Sequence, residues 1–129
     1  DLAAERRNGD FVRGLIQNGT VIACHDVADG GILVAVTEMV MAGQAGCVLE
    51  SPQSGMRPEA FWFGEDQSRY IVAVRDGQAL ADLAAAADVP CRRLGRSGGE
   101  GLTLPNGSTI SKARLVAVHT EFFPRLMDR

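Results

Sequence analysis

The segment His25-Asp26-Val27-Ala28-Asp29-Gly30-Gly31 decides the fold. It sets two carboxylates and two glycines between the apolar run Val21-Ile22-Ala23-Cys24 and a stretch from Ile32 to Ala42 in which nearly every residue is apolar. The first run has the length and character of a strand buried on both faces. The second, long and flanked by glycines, reads as a buried helix. A strand-to-helix junction of this kind is a common ligand position. Glycines let the backbone approach a ligand, the helix N-terminus offers free N–H groups to a phosphate, and Asp26 or Asp29 can hold a hard cation such as Mg²⁺ through oxygen. The same residues suit a purely structural role, with Asp29 capping the helix, Gly30 and Gly31 making the turn and His25 satisfying a local hydrogen bond. The residues alone balance these two readings.

Further along, Gly64-Glu65-Asp66-Gln67-Ser68-Arg69 packs two acids, an amide, a hydroxyl and a guanidinium between Phe61-Trp62-Phe63 and the β-rich run Tyr70 to Val74. Such a set can orient an amide, a ribose or a phosphate. The alternative is an edge strand whose charges pair with one another or face water.

The remaining elements follow from periodicity. Leu2, Phe11, Val12, Leu15 and Ile16 form the stripe of an amphipathic helix that Asn18 and Gly19 end. Gly46 to Glu50 reads as a strand, and Ser51 to Glu59, with two prolines and a glycine, as a loop. Ala79, Leu80, Leu83, Ala84 and Ala87 give a helix between Asp76 and Asp88, with a strand expected near Cys91 to Leu94. Asn106-Gly107 signals a tight hairpin between Leu102-Leu104 and Thr109-Ile110. Ser111 caps a last helix whose stripe is Leu115, Val118, His119, Phe122 and Leu126, with Pro124 expected to kink or finish it. This order predicts an α+β fold: one mixed β-sheet with helices on both faces, a three-layer α/β/α arrangement.

With 129 residues the chain fits one domain, 1–129, with room for a core of its own. A net charge of −3 and one Trp, one Tyr and five Phe oppose a nucleic-acid partner, although Arg6, Arg7 and Arg13 form a local basic patch. No apolar run reaches the roughly 18 residues that cross a bilayer, so a membrane partner is not expected and the cytoplasm is the expected location. Cys24, Cys47 and Cys91 are odd in number, lack metal-ligand spacing and read as small buried hydrophobes in a reducing compartment. Gly98-Gly99-Glu100-Gly101 has no following Lys-Ser or Lys-Thr and reads as a turn rather than a phosphate loop. His119 reads as a packed histidine, and no cysteine has an evident base beside it in sequence. The chain starts with Asp1 rather than Met, which suits a fragment of a longer multidomain chain.

Five stretches together resemble the AIR synthase superfamily of ATP-using enzymes, and within it the phosphoribosylformylglycinamidine synthases. They are Asp1-Leu2-Ala3-Ala4-Glu5-Arg6-Arg7-Asn8-Gly9, Ala23 through Gly31, Glu38-Met39, Phe63-Gly64-Glu65-Asp66-Gln67-Ser68-Arg69, and the Gly95 to Ser111 hairpin with the helix after it. The resemblance covers essentially the whole chain and places it as the second C-terminal-type domain of such an enzyme. It implies a carbon–nitrogen ligase of purine biosynthesis that joins formylglycinamide ribonucleotide, ATP and glutamine-derived ammonia, with Mg²⁺, giving the amidine, ADP and phosphate. The amide oxygen would be phosphorylated and then displaced by ammonia. The implied partners are the remaining domains of the same chain, plus a glutaminase component and a small accessory subunit in bacterial-type complexes.

The catalytic histidine and most ATP contacts of that family belong to N-terminal-type domains, so no catalytic residue is assigned here and the isolated domain is expected to be inactive. Carried over by motif, Asp26 is the candidate metal ligand, and Asp29, Gly30, Gly31, Glu65, Gln67 and Arg69 are candidates for binding substrate or nucleotide phosphate. The pattern departs from the family at Ala28 and Asp66, which stand where serine is usual, and at His25, which stands where the first copy carries Gln. The pocket therefore holds a nonreacting nucleotide or serves only assembly. Rival readings are another superfamily member, such as thiamine-phosphate kinase or selenophosphate synthetase, and a non-catalytic assembly module.

Overall fold

A computed structural model describes residues 1–52 and 55–127. Two compact units are built from interleaved stretches of chain: Asp1–Ala35 with Ser54–Arg93, and Val36–Gln53 with Leu94–Arg129.

In the first unit, α1 (Leu2–Gln17) starts at Asp1, whose Oδ1 accepts hydrogen bonds from the amides of Ala3 and Ala4 at 2.9 and 3.2 Å. That cap is worth about 1 kcal/mol. The helix closes with a Schellman pair, Gly19 N–H donating to Ile16 O and Thr20 N–H to Leu15 O, which needs the left-handed Gly19 (φ 77°). Leu15 is buried and Asn8, Phe11 and Val12 are half-buried, while Leu2 and Ile16, expected in the apolar stripe, face outward. β1 (Val21–Asp26) pairs antiparallel with β3 (Tyr70–Val74). Between them in sequence come α2 (Gly31–Ala42), of which residues 31–35 belong to this unit, and the short α3 (Pro58–Phe63). α3 carries Pro58 in its first turn, where a missing N–H costs nothing, and buries Phe61 and Trp62 edge-to-face with centroids 4.9 Å apart. α4 (Gly77–Ala86) is capped by Asp76 and ends on Asp88, left-handed at φ 54°, with Val89 N–H returning to Ala84 O.

The second unit holds a four-stranded mixed sheet in the order β4-β2-β5-β6: β2 (Cys47–Leu49), β4 (Gly95–Ser97), β5 (Gly101–Thr103) and β6 (Thr109–Ser111). β2 runs parallel to β5 and antiparallel to β4. β5 and β6 form the hairpin expected at Asn106-Gly107, with Leu102 opposite Ile110. Ser111 Oγ accepts from the Arg114 amide at 3.2 Å and starts α5 (Lys112–Met127).

The α+β class read from the sequence stands. The strands, however, divide between a two-stranded and a four-stranded sheet in place of a single one. The expected strand at Cys91–Leu94 lies later, at Gly95–Ser97, and the expected loop to Glu59 gives way to α3 from Pro58. Gln53 and Ser54 of that loop lie outside the described residues. β1 is not buried on both faces: Ile22 is 59% exposed, because its side chain stands on a sheet face that the described residues leave largely uncovered. Cys24 and Cys91 are exposed and Cys47 half-buried, so the cysteines are not core residues. α5 continues through Pro124 to Met127 and buries none of its side chains, which leaves His119 exposed rather than packed.

Leu102 is 2% exposed at the centre of the four-stranded sheet, whereas Leu83 is 46% exposed on α4. Leu102→Ala should therefore cost about 3 kcal/mol in urea unfolding, and Leu83→Ala well under half of that.

Candidate functional site

Backbone pairing joins the two polar segments. At the end of the β1–β3 ladder Asp26 lies opposite Tyr70, and one step further the Val27 amide donates to the Arg69 carbonyl at 2.9 Å. Val27 is buried there, immediately after the end of β1 and before the turn toward α2. The turn is built on Gly30 and Gly31, at φ 81° and 72°. Both lie in the left-handed region that strains any residue with a side chain. At Gly31 contact adds to conformation: a Cβ there would sit 2.7–2.8 Å from backbone atoms of Phe63 and Gly64.

Glu65 completes the junction. Its Oε1 accepts the Gly30 N–H at 2.8 Å across 35 residues of sequence. A carboxylate at this position also complements the positive end of the α2 dipole. Asp29, expected to cap α2, makes no hydrogen bond or ion pair among the described residues; Glu65 supplies the carboxylate instead. Arg69 is likewise committed to the protein. Its Nη2 donates to the Gly64 carbonyl, its Nε donates to the Asp66 carbonyl at 3.1 Å, and the Asp66 carboxylate lies 3.7 Å from Nη2.

Of the seven candidate residues, Gly30, Gly31, Glu65 and Arg69 thus form the frame of the junction. Asp26, Asp29 and Gln67 are exposed, and the side chains of Asp29 and Gln67 carry no bond to the described residues. Asp26 keeps its carboxylate 72% exposed, 3.6 Å from His25 Nδ1. With Nδ1 protonated, His25 donates to the Asp26 carbonyl oxygen 2.6 Å away, the local bond foreseen from sequence. Among the described residues no group of three or more His, Cys, Asp or Glu can hold a metal ion, so Asp26 offers one oxygen ligand and not a set.

One contact of this junction escaped the sequence reading. Asn8 donates through Nδ2 to the Ser68 carbonyl at 3.2 Å and to Ser68 Oγ at 3.4 Å, and Ser68 is left-handed at φ 64°. The available signal was an amide at position 8, on the helix face that also carries Phe11, Val12 and Leu15.

Cys24 lies two residues before Asp26 on the same face of β1. Partial burial of the sulfur first, and the Asp26 carboxylate second, raise the thiol of this largely exposed residue above the ordinary value.

The family described as AIR synthase related protein, C-terminal domain, matches residues 1–104, and the chain belongs to that family. Among curated relatives, the chain is 57% identical over 125 residues to the phosphoribosylformylglycinamidine synthase subunit PurL of Acidiphilium cryptum (strain JF-5). That match covers 97% of this chain and 17% of the relative. It is 55% identical over 127 residues to the subunit of the same name from Gluconobacter oxydans (strain 621H), covering 98% and 17%. The chain therefore spans about one sixth of the length of the curated relatives it matches. Among solved structures, T. maritima PurL complexed with FGAR superposes with a TM-score of 0.73 at 19% identity, over 89% of this chain and 21% of that one. The complex of the same protein with AMPPCP gives 0.68 at 17%, over 84% and 21%. These two likenesses establish the fold.

Two outcomes follow from the junction. Gly31→Ala should lower unfolding stability by roughly 2–5 kcal/mol, the sum of left-handed strain and backbone overpacking, measured by urea titration. In a background with Cys47 and Cys91 replaced by serine, with EDTA present, iodoacetamide alkylation of Cys24 should reach its half-maximal rate above the pH of a free thiol. Asp26→Asn should bring that midpoint partly back down. The sign is fixed because the raised group keeps its proton longer in the folded chain, so stability falls as pH rises toward the folded value.

Proposed function

We propose that this chain is the second C-terminal-type domain of a phosphoribosylformylglycinamidine synthase, and that 1–129 acts as one domain of that longer polypeptide. The observation that carries this reading is 57% identity across 97% of the chain to a subunit of that name. The parent enzyme would convert formylglycinamide ribonucleotide, ATP and glutamine-derived ammonia to the amidine, ADP and phosphate in purine biosynthesis, in the cytoplasm. Support for the ligands comes from T. maritima PurL, whose structures are described as complexes with FGAR and with AMPPCP. Support for accessory subunits comes from a related structure described as PurLQS from Thermotoga maritima, which superposes with a TM-score of 0.63 over 85% of this chain and 20% of that one. A glutaminase component, a small accessory subunit and the remaining domains of the polypeptide are the proposed partners.

Within that enzyme the residues of this chain divide by role. Glu65 and Arg69 hold the junction rigid, Gly30 and Gly31 permit the close approach of the Phe63-Gly64 backbone, and Asp26, Asp29 and Gln67 present free polar groups to whatever docks there. Mg²⁺, when bound, would offset charge on a transferring phosphoryl group. Asp26 fits one oxygen ligand of such an ion, and the other ligands would come from phosphate oxygens and from outside this chain. No catalytic group lies among the assigned residues, so the isolated domain is expected to be inactive.

The test is amidine formation by the full-length polypeptide, supplied with formylglycinamide ribonucleotide, ATP and ammonia. We expect ADP release coupled to amidine formation, no turnover by residues 1–129 alone, and a loss of roughly tenfold in kcat/KM for Glu65→Ala from misplacement of the junction. ATP consumption with a different acceptor and none with this one would place the chain in another branch of the superfamily. Unchanged turnover in both Glu65→Ala and Asp26→Ala would leave the junction a purely assembling role.

A further inference from the structure

Glu65 and Arg69 can hold the junction only if the loop that carries them keeps its shape, and that loop contains an unfavourable backbone conformation. Ser68 sits at φ 64°, a region uncommon for residues other than glycine, and such conformations persist where surrounding contacts over-determine them. Arg69 fixes the loop from within, through the Gly64 and Asp66 carbonyls, and its own carbonyl is held by the Val27 amide. The contact that reaches Ser68 itself comes from α1, 60 residues away: the Asn8 carboxamide nitrogen, 3.2 Å from the Ser68 carbonyl and 3.4 Å from its hydroxyl. The other end of that carboxamide, Oδ1, is buried and has no hydrogen-bond partner among the described residues. A buried acceptor left without a partner is a cost to the fold, so this amide calls for an explanation, and what its donor half holds supplies one.

We infer that Asn8 is a positioning residue, whose donor group holds Ser68 left-handed and thereby sets the Gly64–Arg69 loop that presents Glu65 to the Gly30 amide. The connection runs from α1 through Ser68 and Glu65 to the start of α2, and it links three of the sequence segments that mark the family. It does not depend on which reaction the parent enzyme performs.

Helix propensity does not confound the test, since alanine is a better helix former than asparagine and Asn8→Ala leaves α1 at least as well formed. Removing the donor should loosen the loop, and Ser68→Gly should repair the damage, because glycine adopts a positive φ without strain and needs no restraint there. Peptide-resolved amide hydrogen exchange on the full-length protein reads this directly. In Asn8→Ala, peptides covering 64–70 and 27–31 should exchange roughly tenfold faster, the factor expected for one lost hydrogen bond of ordinary net strength. In Asn8→Ala with Ser68→Gly, both should return to within about threefold of the unmodified protein. Asn8→Asp keeps the volume of the side chain and abolishes the donor, so it should loosen the same peptides as Asn8→Ala does. The inference fails if Asn8→Asp exchanges like the unmodified protein, or if Ser68→Gly restores nothing, since Asn8 would then matter only as packing. Should Asn8→Ala unfold the protein altogether, the double variant still decides. Recovery of the folded state upholds the role, and its absence refutes it.

Discussion

The pairing of β1 with β3 is the constraint on which the junction depends. The ladder puts Asp26 opposite Tyr70 and hands on to the Val27–Arg69 hydrogen bond, so the segment after β1 and the segment before β3 are forced alongside each other. One such bond contributes only about 1 kcal/mol net, but register is a collective property of the strands. A slip of one residue would turn every β1 side chain to the opposite face and carry Arg69 away from Val27. The sheet therefore does for these two segments what a covalent link would do in a smaller molecule.

Once the segments are adjacent, the chemistry of the junction follows from two residue types. Glycine at 30 and 31 permits the left-handed turn, and at 31 also the close approach of the Phe63-Gly64 backbone. A carboxylate at 65 reaches the Gly30 amide and occupies the positive end of α2. These residues look like a phosphate-binding loop in sequence, yet in space an internal carboxylate already takes one of the amides that an anion would use. Asp26, Asp29 and Gln67 stay exposed at the junction, whose turn and loop are held together by the chain's own hydrogen bonds.

What the sequence disclosed was mostly local. α1, α2, α4 and the 102–110 hairpin announce themselves through periodicity, caps and turn residues, and the structure places each within a few positions of the expectation. The motif residues were also visible, and so was the family. The division of strands between two sheets was not, because it depends on which distant strands pair, and strands as short as Cys47–Leu49 and Gly95–Ser97 leave few residues to encode that choice. α3 was hidden because Pro58, with Pro52 and Gly55 upstream of it, resembles a loop, although proline suits a first helical turn. The cysteines, the apolar run of β1 and His119 misled for one shared reason. An apolar pattern says that a surface is suited to being covered, not that the residues of this chain cover it.

β1–β3 pairing creates the junction and Glu65 locks it. Residue-resolved hydrogen exchange on the Val27 and Gly30 amides tests it most directly, comparing the unmodified chain with Glu65→Ala. Both amides should be protected in the unmodified chain, and the substitution should release Gly30 by roughly tenfold while leaving Val27 protected by Arg69. Equal exchange at Gly30 with and without the Glu65 carboxylate, or an unprotected Val27 in the unmodified chain, would contradict it.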